Sequence, residues 1–262
     1  FAYHPDAPPV EPAALIAVRD RMAKRGPDGA GDWMSADNRV GLGHRRLAII
    51  DLSPSGHQPM LAGGPDDPVI TYNGEIYNYR ALRRELQATG IRFHTECDTE
   101  VILRLYQRDG IDAFTRLRGM FAIAIWDPKR QEMVLARDPF GIKPLYLADD
   151  GRTIRVASSA RALSERPEVD SHISAAGAVG FHLLGSVPDP FTIWQGVTAL
   201  PAGTSMVVGR NGASTPRKFF DLATEITGQG SGEGDLASAL RDSAAAHLVA
   251  DVPVGLFLSA GL

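Results

Sequence analysis

The segment Val69-Ile70-Thr71-Tyr72-Asn73-Gly74-Glu75-Ile76-Tyr77-Asn78 sets a side-chain amide, a bare glycine backbone and a carboxylate in succession at the end of a short apolar run. Acyl transfer from an amide builds negative charge on the former carbonyl oxygen, and the Asn73 carboxamide and the Gly74 N–H are donors able to stabilise that charge. Asn-Gly is also the commonest hairpin turn, with Tyr72 and Ile76 as the ends of its strands. The following Ile76-Tyr77-Asn78-Tyr79 leads instead into a capped helix, which favours the chemical reading.

An attacking group is harder to find. Cys97 is the only cysteine and lies in mid-chain. The adjacent Asp98 raises a thiol's pKa, the wrong direction for activation, so Cys97 reads as structural. Phe1 cannot attack a carbonyl. His44 and His57 could be bases, but no serine or cysteine partner is placed for either, and both read as structural. The chain therefore carries the receiving half of an acyl-transfer site without the attacking half.

Arg46 stands at a strand end, where a guanidinium could grip an α-carboxylate through two parallel hydrogen bonds. Alone it would read as a surface arginine. Asp98, just before a helix, would ordinarily be an N-cap, yet an acid there can also hold an ammonium. Together Arg46 and Asp98 could read both charged ends of a free amino acid, leaving its side-chain amide for Asn73 and Gly74. The run Arg137-Asp138-Pro139-Phe140-Gly141-Ile142-Lys143-Pro144-Leu145-Tyr146 reads either as a binding loop or as a rigid crossing closed by an internal ion pair. Ser259-Ala260-Gly261 resembles a phosphate-cradling turn.

These residues need elements to hold them. Pro12 suits the first turn of a helix through about Met22, stopped by Arg25-Gly26-Pro27-Asp28-Gly29. Val40–His44, Leu47–Ile50 and Val69–Asn73 read as strands. A helix from about Tyr79 to Gln87 has Asn78 as its N-cap, and a second from about Thr99 to Arg108 puts Val101, Ile102, Leu105 and Tyr106 on one face. Met120–Trp126 and Met133–Ala136 read as a hairpin, and Leu145–Leu147 and Ile154–Ala157 extend a β-rich core. Strands in blocks between paired helices favour α+β with antiparallel sheets. The glycine-rich stretch from Thr224 to Asp235 is a linker, dividing a domain at 1–223 from a helix Leu236–Leu248 and a buried strand Val252–Leu258 at 236–262.

The chain has 262 residues, 44% hydrophobic and 22% charged, as in ordinary globular domains. A net charge of −4 gives no electrostatic reason to expect nucleic acid. One cysteine excludes a disulfide framework, and no apolar stretch approaches the length of a membrane span. A cytoplasmic location is expected, with no membrane and no metal site. Both ends are expected to be cut rather than finished.

Taken in order, Arg25–Asp28, Gly43–Asp51, Tyr72–Asn78, Asp98–Ile102, Arg118–Ala122, Arg137–Tyr146, Val187–Pro190, Thr192-Ile193 and Asp251–Leu262 resemble the glutamine-hydrolysing asparagine synthetases, ligases of amino-acid biosynthesis. Their N-terminal part is a class II glutamine amidotransferase. The resemblance implies an N-terminal-nucleophile (Ntn) hydrolase fold, a four-layer αββα sandwich, followed by the start of an α/β ATP-pyrophosphatase domain. It implies that Arg46 binds the α-carboxylate of L-glutamine, that Ile49 lines the pocket, and that Glu75 and Asp98 hold the α-amino group. Asn73 and Gly74 would be the oxyanion hole. Phe257, Ser259 and Gly261 would be ATP-binding, with ATP and Mg²⁺ as cofactors of the whole enzyme, none in the glutaminase domain, and aspartate as acceptor. A homodimer is a further implication. The family's nucleophile is an N-terminal cysteine with its own α-amino group as base. That residue is absent here, so this polypeptide is expected not to hydrolyse glutamine. Other readings are a ligase of another acceptor, β-lactam synthetase-like or related to the cell envelope, and a non-catalytic glutamine-binding or subunit-contact module.

Overall fold

The computed structural model describes residues 1–64, 66–227 and 235–255. In chain order, α1 (Pro12–Asp20) precedes β1 (Gly29–Met34), β2 (Gly41–Arg46), β3 (Met60–Leu61) and β4 (Val69–Ile76). Helices α2 (Tyr79–Ala88) and α3 (Asp98–Asp109) lead to the hairpin β5 (Gly119–Asp127) and β6 (Glu132–Arg137), then β7 (Tyr146–Asp149) and β8 (Ile154–Ala157). After α4 (Ala160–Ser164) and α5 (Ala175–Leu184) come β9 (Thr198–Ala199), β10 (Thr204–Gly209), β11 (Gly212–Ala213) and β12 (Arg217–Lys218), then α6 (Leu222–Thr227) and α7 (Leu236–Ala246).

Every pairing is antiparallel. The larger sheet runs β11-β10-β6-β5-β4-β3, with β12 on β10, and the facing layer is built from β1-β2 and β8-β7-β9. Side-chain alternation along β5 explains the layering. Phe121, Ile123 and Ile125 turn to a core shared with Leu82 and Leu86 of α2 and Val101, Ile102 and Leu105 of α3. Ala122, Ala124 and Trp126 turn the other way, onto Leu42, Leu145 and Ile154 of the second layer. A third cluster packs Ala148 and Ala157 of β7 and β8 against Leu163 of α4 and Val18 of α1. The result is helices, sheet, sheet, helices: the expected α+β sandwich of four layers. Among the described residues no helix is long and apolar enough to cross a membrane.

Three local expectations change. Leu47–Ile50 is not a strand. The Arg46 guanidinium donates to the carbonyls of Ile50, Asp51 and Ser53, and Asp51 takes a left-handed φ of 52°, so the chain curls where an apolar run suggested extension. Asn78 sits at the N-cap of α2 without capping it. Its side chain instead bridges Arg116 O at 2.9 Å and Arg118 N at 3.0 Å, tying α2 to the start of β5. Residues 252–255 are not a strand, and 256–258 lie outside the described residues. Helix α6 crosses the expected linker start, and α7 begins at its end, capped by Asp235.

Candidate functional site on the free edge of β4

β4 pairs continuously with β5, Asn73 opposite Ala122, Gly74 opposite Phe121 and Ile76 opposite Gly119, so Asn73-Gly74 is strand and not a hairpin turn. Phe121 faces β6's side, where its O accepts from Asp138 N. Tyr77 N, by contrast, reaches Arg118 O just before β5. By the antiparallel alternation, odd-numbered residues of β4 bond β5, and the N–H groups of Tyr72, Gly74 and Ile76 face the opposite edge. β3 covers that edge only beside Val69 and Ile70. Beyond it, Tyr72 N donates to Gln58 Oε1 at 2.6 Å and Ile76 N donates to Asp98 Oδ2 at 3.0 Å. Gly74 N–H lies between them and meets no acceptor among the described residues.

The neighbouring Asn73 Nδ2 is buried and likewise has no hydrogen-bond partner among them. Two adjacent donors thus remain free on one strand. Gly74 also has a packing reason to be glycine, since a Cβ there would fall 2.1 Å from Met120 O and 2.8 Å from Phe121 Cα.

Charged groups flank this edge. Asp98, only 3% exposed, accepts from Tyr72 Oη at 2.9 Å as well as from Ile76 N, and burial raises its pKa. The Glu75 carboxylate is largely buried, has no hydrogen-bond donor among the described residues, and is pushed up by burial, with Lys143 opposing and Asp98 adding to the rise. Arg46 is buried on the far side, Nη1 donating to Ser53 O at 2.8 Å and Nη2 packed where a Gly56 Cβ would lie. Gly56 is two residues ahead of Gln58, so the segment that holds the guanidinium is the one that approaches the free edge. A chain of contacts links Arg46 to Asp98: Arg46 to Asp51 O, Asp51 Oδ2 to Glu96 N, and Cys97 to Asp98. Ile49 is half-buried against the helical core, its O accepting from Asp251 N at 2.9 Å.

A cavity of about 370 Å³ opens on the other face, bordered by Phe1, Arg25, His44, Thr71, Asn73 and Ala122 among others. Asn73 is the one expected site residue on its wall; Arg46, Ile49, Gly74, Glu75 and Asp98 are not. Phe1 N donates to Ile154 O at 2.8 Å. His44 meets Thr71 Oγ1 at 3.2 Å, and burial, then the Arg46 charge, lowers its pKa to about 4, so it is neutral at pH 7. Cys97 is buried and its pKa pushed up to about 12, by burial first and Asp98 second, which makes it a poor nucleophile. Phe257, Ser259 and Gly261 lie outside the described residues. Among the described residues no group of His, Cys, Asp and Glu is arranged to hold a metal ion.

The Arg137–Tyr146 run is a rigid crossing. Asp138, fully buried, accepts from the backbone N–H groups of Phe121, Phe140, Ile142 and Lys143. The ion pair of Arg137 is with Asp189, at 2.6 Å, and not with its neighbour Asp138. Two residues of the free edge carried no signal of their own: Gln58, which reaches Tyr72 N only through the fold, and Asp51, legible as a turn former ahead of Ser53-Pro54 but not as a link.

Residues 5–220 match the family described as glutamine amidotransferase domain. The chain is 36% identical to asparagine synthetase [glutamine-hydrolyzing] 1 of Bacillus subtilis, over 100% of this chain and 41% of that protein. It is 35% identical to asparagine synthetase B [glutamine-hydrolyzing] of Escherichia coli, over 92% of this chain and 38% of that protein. It thus spans about two fifths of the length of these relatives. Among solved structures, glutamine phosphoribosylpyrophosphate amidotransferase from Bacillus subtilis, complexed with ADP and GMP, matches with a TM-score of 0.56 and 22% identity, covering 80% of this chain and 48% of that one. That likeness shows the fold, the Ntn-type sandwich of glutamine amidotransferases.

Proposed function

The chain belongs to the glutamine amidotransferase domain family, and from that premise we propose that it is the glutaminase half of an asparagine synthetase-type enzyme, releasing ammonia from L-glutamine to amidate aspartate. The observation that carries the reading is the pair of adjacent free donors, Asn73 Nδ2 and Gly74 N–H. A buried donor is normally paired, so Asn73 Nδ2 left open beside the unpaired Gly74 N–H favours a ligand oxygen there. As the amide carbon turns tetrahedral its oxygen gains charge, and both donors strengthen without reorganising.

The rest of the edge fits the other pole of glutamine. Arg46, its guanidinium held by backbone carbonyls, takes the α-carboxylate, with Ile49 beside it. Asp98 and Glu75 take the α-ammonium, whose charge offsets the desolvation that raises both pKa values. Cys97, buried and with its pKa pushed up to about 12, does not supply the attacking group. In the whole enzyme, ATP and Mg²⁺ activate the acceptor carboxylate, on a domain that starts with residues 236–262 after a linker at 224–235. Pairing of two copies and a cytoplasmic location belong to the same reading.

Calorimetry with L-glutamine tests it. Saturable one-to-one binding is expected. No binding overturns the reading in favour of a subunit-contact module.

A further inference from the structure

Asp51 hydrogen-bonds both Arg46 and the segment that leads into α3. Its carbonyl accepts from Arg46 Nη2; its Oδ1 accepts from Ser53 N at 3.1 Å and Ser53 Oγ at 2.5 Å; its Oδ2 accepts from Glu96 N at 3.1 Å. Ser53 O in turn accepts from Arg46 Nη1, and Glu96 lies two residues before Asp98. One residue thus sets both the guanidinium and the start of α3. Its φ of 52° is what turns the carbonyl toward Arg46 while the carboxylate faces α3, a conformation that Asn and Asp tolerate better than most residues.

Asp51 is held from outside as well. Its N–H donates to Asp251 Oδ2 at 2.8 Å, and Asp251 N donates to Ile49 O at 2.9 Å, a two-point clasp on the 49–51 segment. Asp251 follows α7, and that end of the chain is itself seated: Val249 packs on the helical core, and the His247 ring lies 4.8 Å from that of Tyr77, centroid to centroid.

We propose that Asp51 is the positioning residue that sets the separation of Arg46 and Asp98, and that Asp251 fixes Asp51 from the segment after α7, so that the seating of this segment governs the grip on the ligand. The proposal rests on the reading of the β4 edge as a glutamine site. Its signature is selective. A change in separation weakens a ligand that spans both charged groups and spares one that uses a single end.

The test uses the 262-residue chain and three probes: L-glutamine, glutaramic acid, which lacks the α-amino group, and 4-aminobutanamide, which lacks the α-carboxylate. Asp51→Asn keeps the left-handed backbone but presents an N–H group to either Ser53 or Glu96, breaking one link. About tenfold weaker glutamine binding is expected, the size of one lost hydrogen bond to a charged group, with both analogues little changed. Asp251→Ala is expected to shift the preference the same way by about threefold, and Asp251→Asn, which still offers an oxygen to Asp51 N–H, to restore it. An unchanged preference in folded Asp51→Asn, or equal weakening of all three probes, overturns the proposal. Should Asp51→Asn fail to fold, an unchanged preference in Asp251→Ala does so. Failure of the unaltered chain to bind glutamine strikes the site reading itself and this proposal with it.

Discussion

Two buried polar regions of this molecule look alike in sequence and differ in how their hydrogen bonds are spent. In the Arg137–Lys143 crossing, Arg137 donates to Lys143 O, Leu200 O, Gly141 O and Asp189, while Asp138 takes N–H groups from Phe121, Phe140, Ile142 and Lys143. Among the described residues the Arg137 guanidinium and the Asp138 carboxylate are engaged in these internal bonds. On the β4 edge, Asn73 Nδ2, Gly74 N–H and the Glu75 carboxylate have no partner among the described residues. Satisfied groups hold the fold; open ones are available for recognition.

The sharpest way to break this contrast is Asp138→Ala. It strands the buried Phe121 N–H, at about 1–3 kcal/mol, and takes the acceptor from the N–H groups of Phe140, Ile142 and Lys143, which lie near enough to solvent to turn to water. The expected loss of about 2–4 kcal/mol, read by urea unfolding, is a large share of a typical domain's stability. Asp98→Asn separates binding from stability. Its carboxamide oxygen can still accept from Tyr72 Oη and Ile76 N, but the charge is gone. Glutamine affinity should fall roughly 10–100-fold by calorimetry. Stability should rise at neutral pH, because a carboxyl whose folded pKa is raised contributes fully below its unfolded value near 3.8 and loses that contribution as pH rises through the folded one.

Asn73→Ala is the mirror of Asp138→Ala. With no partner to lose, the change in stability should stay within about 1 kcal/mol while glutamine binding drops about tenfold. His44 gives the smallest effect. Its lowered pKa means that the unfolded chain takes the proton first, so its stabilising contribution is present above pH 6.5 and is lost as pH falls toward 4. Over the first pH unit below 6.5 the loss is roughly 1 kcal/mol, and thermal melts of His44→Gln should lack that share of the slope.

Much of the scaffold was legible from local pattern. The spacing of Val101, Ile102, Leu105 and Tyr106 marks the buried face of α3, and the run from Met120 to Trp126 with its return marks the β5-β6 hairpin. What escaped depends on distant partners. Leu47–Ile50 has strand composition, but Arg46 captures the carbonyls of Ile50 and Asp51. The short strands β3, β9, β11 and β12 exist by pairing with remote neighbours. Asn73-Gly74 could be turn or strand until its register with Ala122 and Phe121 is known. The types of Arg46, Asn73, Glu75 and Asp98 were readable; the free edge beside them was not, because it is defined by where β3 stops and by Gln58 reaching Tyr72 N.

The most direct measurement is a crystal structure of this chain with L-glutamine bound. The account predicts the carboxamide oxygen within hydrogen-bonding distance of both Asn73 Nδ2 and Gly74 N, the α-carboxylate on Arg46 and the α-ammonium on Asp98 and Glu75. Glutamine seated elsewhere, or lying with its carboxamide at Arg46 and its α-groups at Asn73, would contradict it.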